Sequence, residues 1–263
     1  MHGGAWCVAP SDNGAADFTP TWAVGTPNAG FPLANVLTLE PDVVAKANEN
    51  TATLRLTAGV AKHLVGLIYV NVNFPGVAVT LTNNAGMATQ TKTVPSPEDG
   101  LAINLFFDLQ DVLSTSATQW NLAVVGTRPV TIGTVIPVYA WTELRMRWEY
   151  DLREVIPTIE HRTGYQKRLQ YRIPVRYRTF AGNPFYAADR NALRSMRRET
   201  HGSMTPFGFI PDMHDVDAML VQFTGDFSER PTFTDGLFTD DTAGGVVEMP
   251  ITLEEVSSGL SLL

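Results

Sequence analysis

Four chemistry-bearing side chains fall within six residues: Asp212, His214, Asp215 and Asp217. One imidazole among three carboxylates suits a hard or borderline cation, or acid–base work. The spacing lacks the central Gly and distal Glu of a calcium-binding EF-hand loop. A solvated turn between two strands accounts for the same residues. Asp235, Asp240 and Asp241, in the Gly- and Thr-rich stretch 232–245, form a second acidic group that reads equally as a loop. Ser195 and Ser203 sit in no G-x-S-x-G setting, so acyl transfer lacks its nucleophile elbow. Gly3-Gly4 and Gly244-Gly245 stand without the Lys and Ser/Thr of a phosphate loop. The single cysteine, Cys7, excludes an intrachain disulfide and any multi-cysteine metal site. These residues point away from an enzyme, and no cofactor or metal is expected.

Charge is distributed more informatively than any of these groups. Between Glu143 and Glu199 lie 13 of the 19 Lys and Arg residues but only 7 of the 27 Asp and Glu, a local balance of +6 in a chain of net charge -8. Surfaces of opposite sign suit docking to copies of the chain or to neighbours in an assembly. Aromatic residues interleave with this basic block, from Trp141 and Trp148 through Tyr150, Tyr165, Tyr171 and Tyr177. Such interleaving also occurs on nucleic-acid stacking platforms. The sequence pI of about 5.1 argues against that partner. A protein–protein face and a solvated sheet face are the other readings, and the first is preferred because Arg and Tyr favour interfaces.

The elements that must carry these residues are mostly strands. The composition leans to Thr, Val, Asn, Gly and Pro, which favours strands and turns. Alternation places strands at 53–57, 64–72, 77–82, 102–109, 120–126 and 131–140, with turn-rich pieces such as Asn83-Asn84-Ala85-Gly86 between them. Short strands at this spacing read as an antiparallel sandwich. Residues 1–30, rich in Gly, Ala, Pro and Asn, read as an extended N-terminal arm. From 168 to 180 the apolar row Leu169, Tyr171, Ile173, Val175 and Tyr177 alternates with Gln170, Arg172, Arg176 and Arg178, one half-buried strand. A helix over 184–200 follows, capped by Asn183, opened by Pro184 and closed by Arg194, Arg197 and Arg198. Further strands are expected at 206–210, 218–224 and 246–256. No apolar run approaches the roughly 18 residues a membrane-spanning helix needs, and Met1 to Cys7 lacks the features of a signal peptide.

In the first half, Phe31-Pro-Leu-Ala-Asn35-Val36 is followed by Thr53-Leu-Arg-Leu-Thr57, Lys62-His-Leu-Val-Gly-Leu-Ile-Tyr-Val70 and Val77-Ala-Val-Thr-Leu81. This order resembles the galactose-binding-like (discoidin-type) jelly rolls carried by tailed-phage structural proteins. In the second half, His161-Arg-Thr-Gly164, the helix, and Met249-Pro-Ile-Thr-Leu-Glu-Glu-Val256 are similar to the β domains of tail-tube and distal tail proteins. The resemblance implies a mostly β chain in three parts. These are the arm 1–30, a jelly roll over 31–141, and an α+β or β-barrel-like domain over 142–263 with helix 184–200 and a C-terminal arm.

It further implies a virion structural protein of a tailed phage, a tail-tip or baseplate component assembled in the host cytoplasm into a ring with other tail proteins. The interface residues are then Arg168, Arg172, Arg176, Arg178, Arg194, Arg197 and Arg198, with no nucleic acid and no membrane insertion. The alternative is a carbohydrate-binding adhesion module contacting host glycans, with Asn73 and Phe74 of the loop Asn73-Phe74-Pro75-Gly76 as glycan contacts.

Overall fold

The computed structural model describes residues 4–7, 17–40, 42–86, 89–96, 101–110, 113, 116–140, 142–144, 146–155, 158–160, 166–168, 175–184, 187–201, 204–211, 218–224, 230–231 and 247–256. The chain starts with strand β1 (Gly4–Cys7), whose partners lie far along the sequence. Then come β2 (Phe18–Val24), a 3-10 turn (Leu33–Leu37), β3 (Ala45–Lys46), β4 (Thr51–Lys62) and β5 (Gly66–Val72). They are followed by β6 (Ala78–Asn83), β7 (Thr89–Thr93), β8 (Leu105–Asp108), β9 (Ala117–Val125) and β10 (Thr131–Val138). Strands β2 to β10 make two antiparallel sheets, of order β2-β4-β9-β6-β7 and β3-β10-β5-β8.

Alternation decides how these sheets pack. In β4, Ala52, Leu54, Leu56 and Ala58 are buried while the residues between them face outward. Trp120 and Leu122 of β9 and Val79 and Leu81 of β6 join them on the inner face. They meet Leu67, Tyr69, Leu105, Phe107, Ile132 and Val135 of the four-stranded sheet, so one apolar core fills a jelly-roll sandwich. Phe18 stands edge-on to Trp120 with ring centroids 5.7 Å apart. Lys92 of β7 closes the open edge: its Nζ donates to the Phe106 carbonyl at 3.0 Å and lies 5.7 Å from the Phe106 ring centroid and 5.8 Å from that of Phe107.

β5 and β10 are buried along their whole lengths, which one core does not explain. The second cover is a further sheet. The chain continues with β11 (Thr142–Leu144), β12 (Met146–Val155), β13 (Thr158–Glu160), β14 (Gln166–Arg168) and β15 (Val175–Pro184). Helix α1 (Ala187–Glu199) precedes β16 (Phe207–Ile210), β17 (Met219–Phe223), β18 (Arg230–Pro231), β19 (Val247–Glu248) and β20 (Ile251–Glu255). Seven of these elements, with β1 among them, form an open antiparallel sheet of order β11-β1-β16-β17-β20-β15-β12. Ile210, Ala218 and Leu220 pack on Ile68, Val70, Phe106, Ile136 and Val138, the outer face of the four-stranded sheet. Phe207, Phe209, Val221, Phe223, Ile251 and Leu253 turn to α1, which supplies Leu193 and Met196. The layers therefore run sheet, sheet, sheet, helix, and the middle sheet is apolar on both faces, as its unbroken apolar runs require.

The mostly β architecture, with a jelly roll and, among the described residues, one α-helix, agrees with the sequence reading. Three features differ. Segments 4–7 and 18–24, expected within a loop or extended arm, are strands paired into the two units. Of the strand read over 168–180, the described residues are Arg168, which ends β14, and 175–180, which open β15; that strand runs on to Pro184. The described strands of the second unit make one open seven-stranded sheet and two strand pairs, β13-β14 and β18-β19, rather than a barrel-like sheet.

Where β15 begins and β20 ends, the second unit meets the sandwich through buried polar groups. Arg178 Nη2 donates to Glu255 Oε1 at 2.7 Å and Nε to Oε2 at 2.9 Å, in a pair whose side chains are 5% and 0% exposed. The Arg178 backbone N–H donates to the same carboxylate at 3.2 Å. A guanidinium fork on a carboxylate with its remaining groups bonded is the arrangement that makes a buried pair tolerable. Arg178→Ala strands the Glu255 charge inside the protein, and a loss of about 3–5 kcal/mol is expected in urea unfolding. Arg198→Ala, on the exposed end of α1, should stay within about 0.5 kcal/mol. Equal small losses for both would show that the pair contributes nothing.

Candidate functional site

At one end of the sandwich five loops meet, and hydrogen bonds between main chains place each against the next. Gly126 N donates to Asn50 O at 2.8 Å and Val130 N to Glu49 O at 3.0 Å, joining the loop after β9 to the one before β4. Asn28 N donates to Lys46 O at 2.9 Å and Asn48 N to Thr26 O at 3.0 Å, adding the loop after β2. Asn73 N reaches Thr131 O at 3.3 Å, and Gly76 N reaches Val94 O at 3.0 Å, adding the loops after β5 and β7. We refer to this end as the rim.

Side chains then fix its surface. The Glu49 carboxylate accepts from Thr26 N at 2.7 Å and from Thr26 Oγ1 at 2.8 Å. These bonds, the backbone one foremost, hold its pKa below the ordinary carboxylate value. Gly25, at φ 94°, lets the chain turn beside that carboxylate; a Cβ there would stand 3.1 Å from Glu49 Oε2. Asn48 Nδ2 donates to Thr26 Oγ1 at 3.1 Å and to Pro27 O at 3.3 Å, while its Oδ1 accepts from Asn28 Nδ2 at 3.0 Å. Beside this lattice the Phe31 ring is 41% exposed, with the Lys46 ammonium 5.6 Å from its centroid. Asn48, Asn50 and Arg128 are exposed around the same loops.

This set combines exposed Asn and Arg side chains with one part-exposed aromatic ring. Planar amide and guanidinium groups match pairs of neighbouring hydroxyls, and an aromatic face takes the C–H side of a ring. Among the described residues, no group of three or more His, Cys, Asp and Glu side chains is placed to hold a metal ion.

The residues singled out from sequence fall elsewhere. Asn73 and Phe74, expected as glycan contacts, are buried: Phe74 belongs to the sandwich core, and Asn73 bridges two loops, accepting from Thr131 N at 2.9 Å and donating to Pro129 O at 2.8 Å. Asn35 also serves the fold, its amide donating to Val44 O at 2.9 Å. Arg178, expected on an outward interface, is internal because Glu255 captures it. Arg168 lies on β14 opposite Thr158, and Arg176 on β15 opposite Glu154. Arg194 donates to Asn191 Oδ1 at 2.8 Å. Arg197 and Arg198 occupy the last turn of α1, with Arg198 exposed. Arg172 and the clusters Asp212, His214, Asp215, Asp217 and Asp235, Asp240, Asp241 lie outside the described residues.

Sequence reading passed over Phe31, Asn48, Glu49 and Arg128 as site residues. The signal for them was a polar Asn48-Glu49-Asn50 triplet directly before a strand, with an aromatic residue next to Pro32.

The molecule is thus an antiparallel jelly-roll sandwich with a polar-aromatic loop rim, backed by an open sheet and a helix. No protein-family profile and no curated protein matches the chain. Among solved structures it is similar to the lectin domain of lectinolysin complexed with Lewis B antigen, at 14% identity and a TM-score of 0.38, over 49% of this chain and 96% of that one. It is similar to the family 32 carbohydrate-binding module of C. perfringens NanJ in complex with galactose, at 13% identity and a TM-score of 0.37, over 52% and 98%. A chitosan-binding module from Paenibacillus sp. IK-5 gives 13% and 0.34, over 53% and 100%. The fold assignment rests on the strand order and shared core described above.

Glu49 supplies a pH dependence with a definite sign. Its pKa is lowered from the ordinary 4.5, so the hold on Thr26 is complete above that value. It is lost as pH falls through the lower native pKa. Protection of the Thr26 amide, its exchange taken against the intrinsic rate at each pH, should fall as acid protonates Glu49 and show no such step in Glu49→Gln. Identical acid profiles for the two proteins would overturn this.

Proposed function

We propose that the chain is a glycan-binding module whose ligand sits on the rim. The observation that carries this reading is the exposed Phe31 ring beside Lys46, among exposed Asn48, Asn50 and Arg128 on loops pinned by Glu49. Hydroxyl-rich ligands need donors and acceptors in fixed directions, and a loop lattice settled before binding reduces the ordering cost. Recognition is reversible binding by a few polar groups and one stacking face. The module would tether whatever the chain belongs to onto a glycan-bearing surface.

A glycan array with full-length protein, starting from galactose-terminated and fucosylated structures, tests this directly. Phe31→Ala is expected to weaken the best ligand roughly two- to tenfold with unchanged thermal unfolding, read by calorimetry; loss of one stacked ring is worth about 0.5–1.5 kcal/mol. An array with no positive spots would sink the reading.

A second reading is assembly, as in a virion tail-tip component built by protein–protein contacts; no comparison favours a tail protein. One observation favours assembly in general. β12, paired with β15 over ten residues, stands at the edge of the seven-stranded sheet among the described strands. A ribbon edge of this kind is a template for strand addition by another copy. Light scattering across salt concentrations separates the two: a strict monomer throughout would count against self-assembly and leave glycan binding untouched.

A further inference from the structure

The sandwich does not hold the rim by itself. Its floor is the end of β5 and the segment that enters β8, and both are gripped from the second sheet. Arg178 Nη2 donates to the Ala102 carbonyl at 3.3 Å, and Asn104 Nδ2 donates to Glu255 Oε1 at 3.3 Å. Asn104 Oδ1 in turn accepts the Asn71 backbone N–H at 2.9 Å. Asn71 is fully buried at φ 58°, a left-handed conformation that a non-glycine residue keeps only where its surroundings hold it.

The grip continues outward along hydrogen bonds. Val72 N donates to Ile103 O at 2.8 Å. Asn73 then spans Thr131 N and Pro129 O, and Val130 N donates to Glu49 O. The path ends at the carboxylate that fixes Thr26 beside Asn48.

We propose that Arg178 and Glu255 are positioning residues for the rim, so that the second unit sets the shape of a binding surface it does not line. This rests on the glycan-binding reading of that surface. Removing the pair while preserving apolar packing should leave a folded protein with a loosened rim.

The experiment uses the full-length double variant Arg178→Met/Glu255→Leu, since replacing a buried pair with packed apolar side chains commonly retains stability. Unfolding and circular dichroism are expected to stay near wild type. Affinity for the best array glycan should fall at least tenfold, and hydrogen exchange at the Val72 and Asn73 amides should quicken at least tenfold. Met249→Ala, which opens the helix-side core instead, should lose stability and keep its affinity. A folded double variant with wild-type affinity overturns the proposal. If the double variant does not fold, Asn104→Ala carries the same comparison. If wild-type protein binds no glycan, the functional reading falls and exchange decides alone: unchanged protection at Val72 and Asn73 overturns the positioning role, and faster exchange upholds it.

Discussion

The Arg178–Glu255 ion pair constrains the rest of the molecule. Two charges taken out of water cost several kcal/mol each, and their attraction repays this only when the geometry is good and the remaining lone pairs and protons are bonded. Here the carboxylate takes the guanidinium, the Arg178 backbone N–H and the Asn104 amide. Each requirement fixes a separate element: β15, β20, and the segment before β8. Apolar contact between the two sheets alone would tolerate small slips, since it is non-directional. The bonded pair does not, so it sets the position of the sandwich on the second sheet.

That position explains the middle layer. β5 and β10 carry apolar side chains on both faces because they serve two cores, one toward β4 and β9 and one toward β16 and β17. Inward alternation in the five-stranded sheet and unbroken burial in the next are two consequences of the same stacking. The exposed-face residues of β4, mostly Thr, mark where the stack ends.

How much of this was legible follows from which signals are local. Period-two alternation revealed β4, β6 and β9, and the basic helix end revealed α1 to within three residues at its start. β7, Thr-Gln-Thr-Lys-Thr, has no apolar residue to alternate, so its edge position was invisible. β1 and β2 sit in Gly-, Ala- and Pro-rich sequence, and only partners far along the chain make them strands. Arg178 sits in sequence as one of a row of outward arginines, and its burial depends on a carboxylate 77 residues later. The sequence Phe74-Pro75-Gly76 leaves Phe74 open between core and glycan contact, with core favoured; the turn drops the ring into the core and leaves Pro75 and Gly76 outside. Such placements are decided by long-range packing, which a single sequence does not display.

The rim shows the same dependence in its chemistry. None of its exposed groups is unusual alone, and a lone Asn or a Phe beside Pro is ordinary loop composition. What makes the set coherent is that Glu49 and Asn48 direct their bonds to Thr26, Pro27 and Asn28 rather than to water. The loop that carries Phe31 is thereby held against the strand that carries Lys46. A surface organised in this way has less freedom left to lose when a ligand arrives. The basic block between Glu143 and Glu199 does not furnish the cations of the rim: Arg178 is buried against Glu255, and Lys46 and Arg128 lie outside the block altogether. Lys46 and Arg128, the cations of the rim, therefore belong to the acidic part of the chain.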